Sequence, residues 1–454
     1  MAIGWEKELS DLMGDKRLLL DTESRERLSK DYYWYSPVLD RQLRTKLADG
    51  IVAPKDEREV AQLLAFAYRH QIPVTVRGAG TGNYGQAVPL NGGLVLDLSG
   101  LDRIITIGAG YATVQCGVKL GALEKKAREL GQELRIYPST FMKATAGGFV
   151  SGGSGGIGSI TWGNLWDGNV LEAVIYTMEE TPRRLVVNGK ALYDYIHNYG
   201  TTGIMTELTI PLAPRMEWVQ SVAHFDSFEQ AVRFGEALAK EETIRKRLIS
   251  PMEWPIPSYF MPLAKVLELG AAAVLLETAN GTQEQVKELA LRYQGRIGHV
   301  IEAEQYRKTL GLSDFTWNHT TLWALKSDPT ITYLQAGFSP DQYLEQIRLI
   351  KNKYGDEVLL HFEWVRSGGK LSPNSLPLVK FQSEERLYEI IGYFESIGVK
   401  IFDPHTWMLA NGGRGEVGSM QRKKRENDPL GLLNPGKIQD EWTEEGSRYG
   451  ARHG

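Results

Sequence analysis

The chain has 454 residues, 42% hydrophobic and 24% charged, with 48 glycines and a formal net charge of -4. That is ordinary globular usage, enough for roughly two to four domains and for a large core or an enclosed cofactor. The slightly acidic balance argues against a general nucleic-acid binder, and the single cysteine, Cys116, excludes a disulfide framework, a cysteine zinc ribbon and a cysteine-ligated iron–sulfur cluster.

The first ten residues carry Glu6, Lys7 and Glu8 and no apolar stretch, unlike a secretory signal. No run approaches the roughly 18 apolar residues of a spanning helix. A cytoplasmic protein is expected. Residues 1–44 are polar and predicted helical, ending in the aromatic cluster Tyr32 to Tyr35, which reads as packing. Ile51 to Pro54 is predicted as a strand, Asp56 caps a helix to His70, and Pro73 to Arg77 is the next strand. Further strands are expected at Gly93 to Leu98, Ala112 to Val118 and Ile204 to Leu212. A helix spans Lys119 to Leu130, and a hairpin joins Asn169 to Met178 with Arg183 to Val187. Pro211, Pro214 and the change of pattern near Trp218 suggest a boundary. Between 216 and 400, helices are predicted at Phe228 to Leu238, Glu284 to Tyr293, Gln342 to Tyr354 and Glu384 to Ile397. Strands are predicted there at Ala271 to Glu277 and Val358 to Val365. The class is α+β. The segment 401–454 returns to turn-rich chain and ends in a polar tail.

Gly80, Gly82 and Gly85 fit the spacing G-x-G-x-x-G, but loop follows where a dinucleotide fold needs a helix. What remains is a run of four glycines, Gly78, Gly80, Gly82 and Gly85, after Arg77. Such a run lets backbone N–H groups converge on a phosphate; the bland alternative is a tight turn. Gly152 to Gly156 fits G-x-S-x-G around Ser154, yet the glycines after it do not supply the helix of a hydrolase elbow. A glycine-rich backbone-contact loop is expected instead. His361 and Glu363 share one strand face, as an acid/base or metal pair or simply as a polar face. His405 sits in a late turn, and Tyr84 sits in the glycine loop; these three are the candidate proton acceptors. Arg422 to Arg425 reads as a solvated helix face, and Trp317 to Trp323, aromatic and polar together, reads as core before pocket.

Taken in order, several motifs resemble the vanillyl-alcohol oxidase superfamily, the PCMH-type FAD-binding oxidoreductases. They are Pro73 to Gly82 with Gly93 to Ser99, Pro138 to Thr140 with Ala144 to Gly148, Trp162 to Val170, Tyr199 to Glu207, and Asp428 to Lys437. The resemblance implies a two-part FAD domain, 45–215 with 401–454, interrupted by an α+β cap at 216–400 that supplies the substrate pocket. It implies FAD contacts from Arg77, Gly78, Ala79, Gly80, Thr81, Gly82, Asn83 and Tyr84. Further contacts are implied from Pro138, Ser139, Thr140, Thr145, Gly147, Gly148, Ser151, Gly152, Gly155, Asn169, Gly203, Ile204 and Asn434.

Relatives that attach FAD from the glycine loop carry histidine where this chain has Thr81, so FAD is expected to be non-covalent. The glycolate and D-lactate branch ends in Gly-Glu-His-Gly with a cap histidine pair. Here Ala410, Asn411, Gly412 and Gly413 stand instead, so that branch's metal does not carry over and none is expected. The implied activity is oxidation of a CH–OH group by hydride transfer to flavin, a 2-hydroxy acid such as glycolate or D-lactate being favoured. Electrons would pass to oxygen, a quinone or a protein. A sugar, aldonolactone or aromatic-alcohol oxidase, or a flavoprotein subunit of an electron-transfer complex, is the alternative.

Overall fold

The structure, a computed structural model, describes residues 4–14, 17–306, 310–412 and 417–438. Gly413 and the expected polar tail from 439 to 454 lie outside the described residues.

The strands Gly50–Val52 and Val74–Arg77 flank the helix Glu57–Arg69. Asp56 starts that helix by accepting the Glu59 N–H at 2.9 Å, and Val60, Leu63, Leu64 and Ala67 are buried. A helical crossover leaves its two strands parallel. Leu94–Asp97 fits between them, parallel to both. The N-terminal segment supplies the helices Glu6–Met13, Thr22–Leu28 and Pro37–Leu43, and also a strand, Leu18–Leu19, which pairs antiparallel with Gly50–Val52. At the other edge the C-terminal chain closes the sheet. Val74 N–H donates to the Leu432 carbonyl at 2.8 Å, and the Val74 carbonyl accepts the Asn434 N–H at 2.7 Å.

A six-stranded antiparallel sheet lies beside it, built on the long strand Ile204–Pro214. That strand runs through Pro211, opposite Tyr111, and on to Pro214. A proline removes one donor from a strand but leaves its carbonyl and its extended backbone usable. Side chains of both sheets, including Leu94, Leu96, Val114 and Leu208, share one core with Phe66 of the helix.

The region after Trp218 builds a second core on a four-stranded antiparallel sheet: Lys246–Met252, Ala272–Ala279, Trp218–Phe225 and Arg296–Ile301. Every residue of its two central strands is buried, so both faces are covered. The helix Phe228–Lys240, opened by a Ser227–Gln230 capping box, covers one of them. The strand expected over Val358 to Val365 is two strands, Val358–Leu359 and Phe362–Ser367. Between them the Leu360 N–H is taken by the buried Glu253 carboxyl, and His361 bridges to Met252. The chain therefore leaves one small sheet for another at His361. The first joins Val358–Leu359, Leu378–Lys380 and Ile331–Tyr333, and the second joins Phe362–Ser367, Lys370–Ser375, Ala336–Gly337 and Lys400–Ile401. The architecture is α+β.

One local feature is added to the sequence reading and one reading is corrected. The glycine-rich tract opens with a helix, Ala146–Gly152, because Thr145 caps it by accepting the Gly148 N–H at 3.2 Å. In the helix Gly418–Asn427, Lys424 is 2% exposed rather than solvated. Its ammonium donates to Asp428 and to the Leu433 carbonyl, both at 2.8 Å. No helix among the described residues is long and apolar enough to cross a membrane.

Candidate functional site

The strand Val74–Arg77 delivers the glycine loop to a cavity of about 920 Å³, near the top of the range for ligand sites. The Arg77 guanidinium folds beneath the loop and donates to the Lys30 carbonyl at 2.6 Å. A Cβ on Gly80, whose φ is +62, would sit 2.1 Å from that guanidinium. A Cβ on Gly78 would meet the Thr145 hydroxyl at 2.2 Å. The loop is thus held from below and behind. Among the described residues no acceptor takes the backbone N–H groups from Gly78 to Asn83.

Three further segments complete this wall. Pro138 to Thr145 leads into the helix Ala146–Gly152, where a Cβ on Gly147 would lie 2.5 Å from that of Cys116. The turn from His197 to Gly203 brings His197, Tyr199 and Gly200 to the wall, all with positive φ. The His197 and Tyr199 N–H groups bond to Val150 and Ser151 of that helix. From the N-terminal segment come Asp31, Tyr32 and Tyr35. Tyr32 N–H donates to Gly82 at 2.7 Å, and Asp31 accepts the N–H groups of Tyr33 and Ala87. Behind Asp31 lies the buried Lys437, whose ammonium donates to the Gly85 carbonyl. Burial raises the Asp31 carboxyl and lowers the Lys437 ammonium, and their mutual attraction opposes both shifts.

The facing wall comes from the region 216–400 and the start of the C-terminal segment. It carries Trp317, Asn318, His319 and Leu322 of one helix with its lead-in, Gln335 to Phe338, and Ser372 to Leu376 with Lys400 and Phe402. Tyr84 spans the two walls. The Gln335 amide donates to its hydroxyl, Asn318 and Tyr333 lie within its hydrogen-bonding circle, and burial pushes its pKa up. The stretch Trp317 to Trp323 therefore lines a pocket at its N-terminal end, contrary to the core reading.

Eighteen of the twenty-one residues expected to touch the cofactor line this cavity; Asn169, Ile204 and Asn434 do not. Each of the three is spent on structure. Asn169 donates to the Trp162 and Asn164 carbonyls at 2.8 Å, Asn434 to those of Gln86 and Tyr199 at 2.9 and 2.7 Å, and Ile204 is fully buried in the core. Of the candidate proton acceptors only Tyr84 reaches the wall. His405 is 2% exposed, set against the Ser36 hydroxyl at 2.7 Å, and burial lowers its pKa to about 4. His361 is fully buried, 3.9 Å from Glu363, and burial lowers it to about 3. Both lack a path to a ligand because the chain packs them between layers. Among the described residues no group of three or more His, Cys, Asp or Glu side chains stands together as metal ligands would. The sequence reading missed Asp31, whose segment has no local signature, and His197, hidden in a run without a recognised pattern.

Comparison with known proteins places an FAD-binding domain around this loop. An FAD-binding domain model matches residues 48–182, which run from the strand Gly50–Val52 to the strand Glu172–Tyr176. The glycolate oxidase subunit GlcD of Bacillus subtilis is 25% identical over 86% of this chain and 89% of its own length. GlcD of Escherichia coli K12 is 26% identical over 85% and 83%. An FAD-linked oxidoreductase of Mycobacterium tuberculosis is 33% identical, but the match spans 39% of this chain and 41% of that protein. A solved alkyldihydroxyacetonephosphate synthase shares the fold at a TM-score of 0.74 and 14% identity, covering 96% of this chain and 85% of that one.

The cavity suits FAD on its own terms. A loop whose amides have no protein acceptor can receive a pyrophosphate, and Gly147 and Gly148 line the same cavity while packing against Cys116 and Thr145. With that domain matched where the glycine loop stands, and glycolate oxidase subunits aligned along most of its length, the chain is an FAD-binding oxidoreductase similar to these proteins.

Proposed function

We propose that the chain oxidises a CH–OH group, with 2-hydroxy acids such as glycolate and D-lactate favoured, using FAD held without a covalent bond. One observation carries this reading: a single cavity joins the glycine-loop wall, built for a phosphate-bearing cofactor, to a wall of hydroxyl, amide and imidazole groups. In this reading 45–215 and the chain after 401 form the FAD domain, and 216–400 is the cap. Bound FAD supplies the two-electron acceptor for the hydride. The chain's part is to orient the substrate, exclude water and receive the hydroxyl proton. Tyr84, with Gln335 donating to its oxygen, keeps its own O–H for a substrate oxygen.

The relatives support the substrate class. Besides the two glycolate oxidase subunits, a D-lactate dehydrogenase of Archaeoglobus fulgidus is 30% identical over 40% of this chain and 43% of that protein. Non-covalent binding is supported at the wall itself. Thr81 offers only an un-ionised alcohol, a weak nucleophile, and burial pushes the Cys116 thiol up to about 12, so it stays protonated. Electrons leave to a separate acceptor, and a cytoplasmic setting is proposed with it.

The test is an absorption spectrum of the purified protein before and after acid precipitation, followed by anaerobic addition of glycolate or D-lactate. Flavin colour released to the supernatant, and bleached by one of the two acids in the intact protein, is the expected result. Colour kept in the pellet overturns non-covalent binding. Absence of bleaching by either acid overturns the substrate class.

A further inference from the structure

Behind the cap wall lies a buried acid with no role in the chemistry above. Glu363, in the strand Phe362–Ser367, is 1% exposed, and no lysine or arginine pairs with it among the described residues. A carboxyl buried without a cation is costly unless hydrogen bonds compensate. One carboxyl oxygen accepts two: the Ser250 hydroxyl at 2.9 Å and the backbone N–H of Trp317 at 2.7 Å.

Trp317 is not an ordinary partner. It is a non-glycine residue at φ +53 and ψ -140, a strained conformation that persists only when its surroundings fix it. It stands at the head of the helix Asn318–Ser327 and caps it with no side-chain bond. The turn made at Trp317 brings Asn318 and His319, in the helix's first turn, to the cavity wall. The His319 ring hydrogen-bonds to the backbone of Asp314. In a neutral imidazole that fixes one nitrogen as the donor and leaves the other as an acceptor. Burial holds the ring neutral, with a pKa near 4, and Lys143 of the same cavity pushes in the same direction. An anionic substrate beside it acts oppositely and makes the ring a better base.

We propose that Glu363 is a positioning residue: through the Trp317 N–H it fixes the first turn of the helix, so that His319 receives the hydroxyl proton of the substrate. The inference rests on the CH–OH reading above. The O–H bond breaks toward the bare His319 nitrogen, the carbon gives its hydride to the oxidised cofactor, and the C–O bond closes to a carbonyl.

The test compares Glu363→Gln, Glu363→Ala and His319→Ala in the FAD-loaded protein. Nitrogen-15 resonances of the histidine rings, with His319 assigned by its loss in His319→Ala, are read without substrate. Anaerobic bleaching by glycolate and D-lactate is read separately. His319→Ala should slow bleaching by about 100-fold or more at unchanged FAD content. Glu363→Ala should shift the His319 resonance and lower the bleaching rate, whereas Glu363→Gln, which keeps a carbonyl for the Trp317 N–H, should restore both. Glu363→Leu gives the same comparison where Glu363→Ala does not fold. An unshifted His319 resonance in Glu363→Ala or Glu363→Leu overturns the positioning role. Full-speed bleaching by His319→Ala overturns the proton-acceptor role. If neither acid bleaches the parent protein, the substrate reading fails, and the resonances still decide the role of Glu363.

Discussion

At the scale of single residues, the glycine loop works because its own arginine lies beneath it. Gly80→Ala places a methyl group against the Arg77 guanidinium in a left-handed backbone. We expect it to lose FAD on gel filtration and to cost about 1–2 kcal/mol or more of stability. Gly110→Ala is the control. Gly110 also has positive φ, but a Cβ there meets nothing within 4 Å, so the cost should be strain alone, about 1 kcal/mol, with FAD retained. Glu363 gives a pH-dependent prediction. Burial raises its pKa from 4.5 to about 8 in the folded chain, so the folded state holds the proton more tightly than the unfolded one. Its contribution to stability is therefore complete in acid and is lost as the pH rises through about 8. Glu363→Gln carries no such proton. Its melting temperature relative to the parent should climb with pH, by the equivalent of a few kcal/mol at the alkaline end; a flat difference would show that the carboxyl does not titrate in that range. The glycines were legible in the sequence because a positive φ or a close approach leaves a residue-type signature. The path of Arg77 was not, since it depends on Lys30, which the fold alone brings near.

At the scale of elements, the strands and helices with a clear period stood where the residues placed them. The capping aspartate and apolar stripe of Glu57–Arg69 are the plainest case. The failures share one cause: local pattern was overruled by tertiary partners. Val358 to Val365 splits because Glu253 and Met252 claim Leu360 and His361 from another sheet. Arg422 to Arg425 looks solvated throughout, yet Lys424 turns inward to Asp428. Lys424→Met strands the Asp428 carboxylate in the core and should cost about 3–5 kcal/mol in a denaturant titration. Arg422→Ala, two residues away on the same helix, should change stability by no more than about 0.5 kcal/mol. Equal effects from the two would place Lys424 back on the surface.

At the scale of the whole molecule, the cavity is assembled from chain as distant as Asp31 and Phe402. Its glycine-loop wall was readable as an ordered series of motifs. The facing wall was not, because amides, hydroxyls and one imidazole scattered from 314 to 402 acquire meaning only once folded side by side. The chain from Asp428 onward matters to the same cavity without lining it, through the bonds of Leu432 and Asn434 to Val74 and of Asn434 to Gln86 and Tyr199. A chain stopped after Asn427 should therefore purify without flavin colour and resist reconstitution with FAD, while Asn434→Ala should bind it more weakly than the parent.

That closing pair of bonds also fixes when loading happens. Val74 emerges from the ribosome some 360 residues before its partners Leu432 and Asn434. The glycine loop thus stays unbraced on one side until that distant segment has been made. Cofactor uptake is then expected only after Leu432 and Asn434 have joined the sheet, and nascent chains arrested anywhere before Leu432 should all be empty.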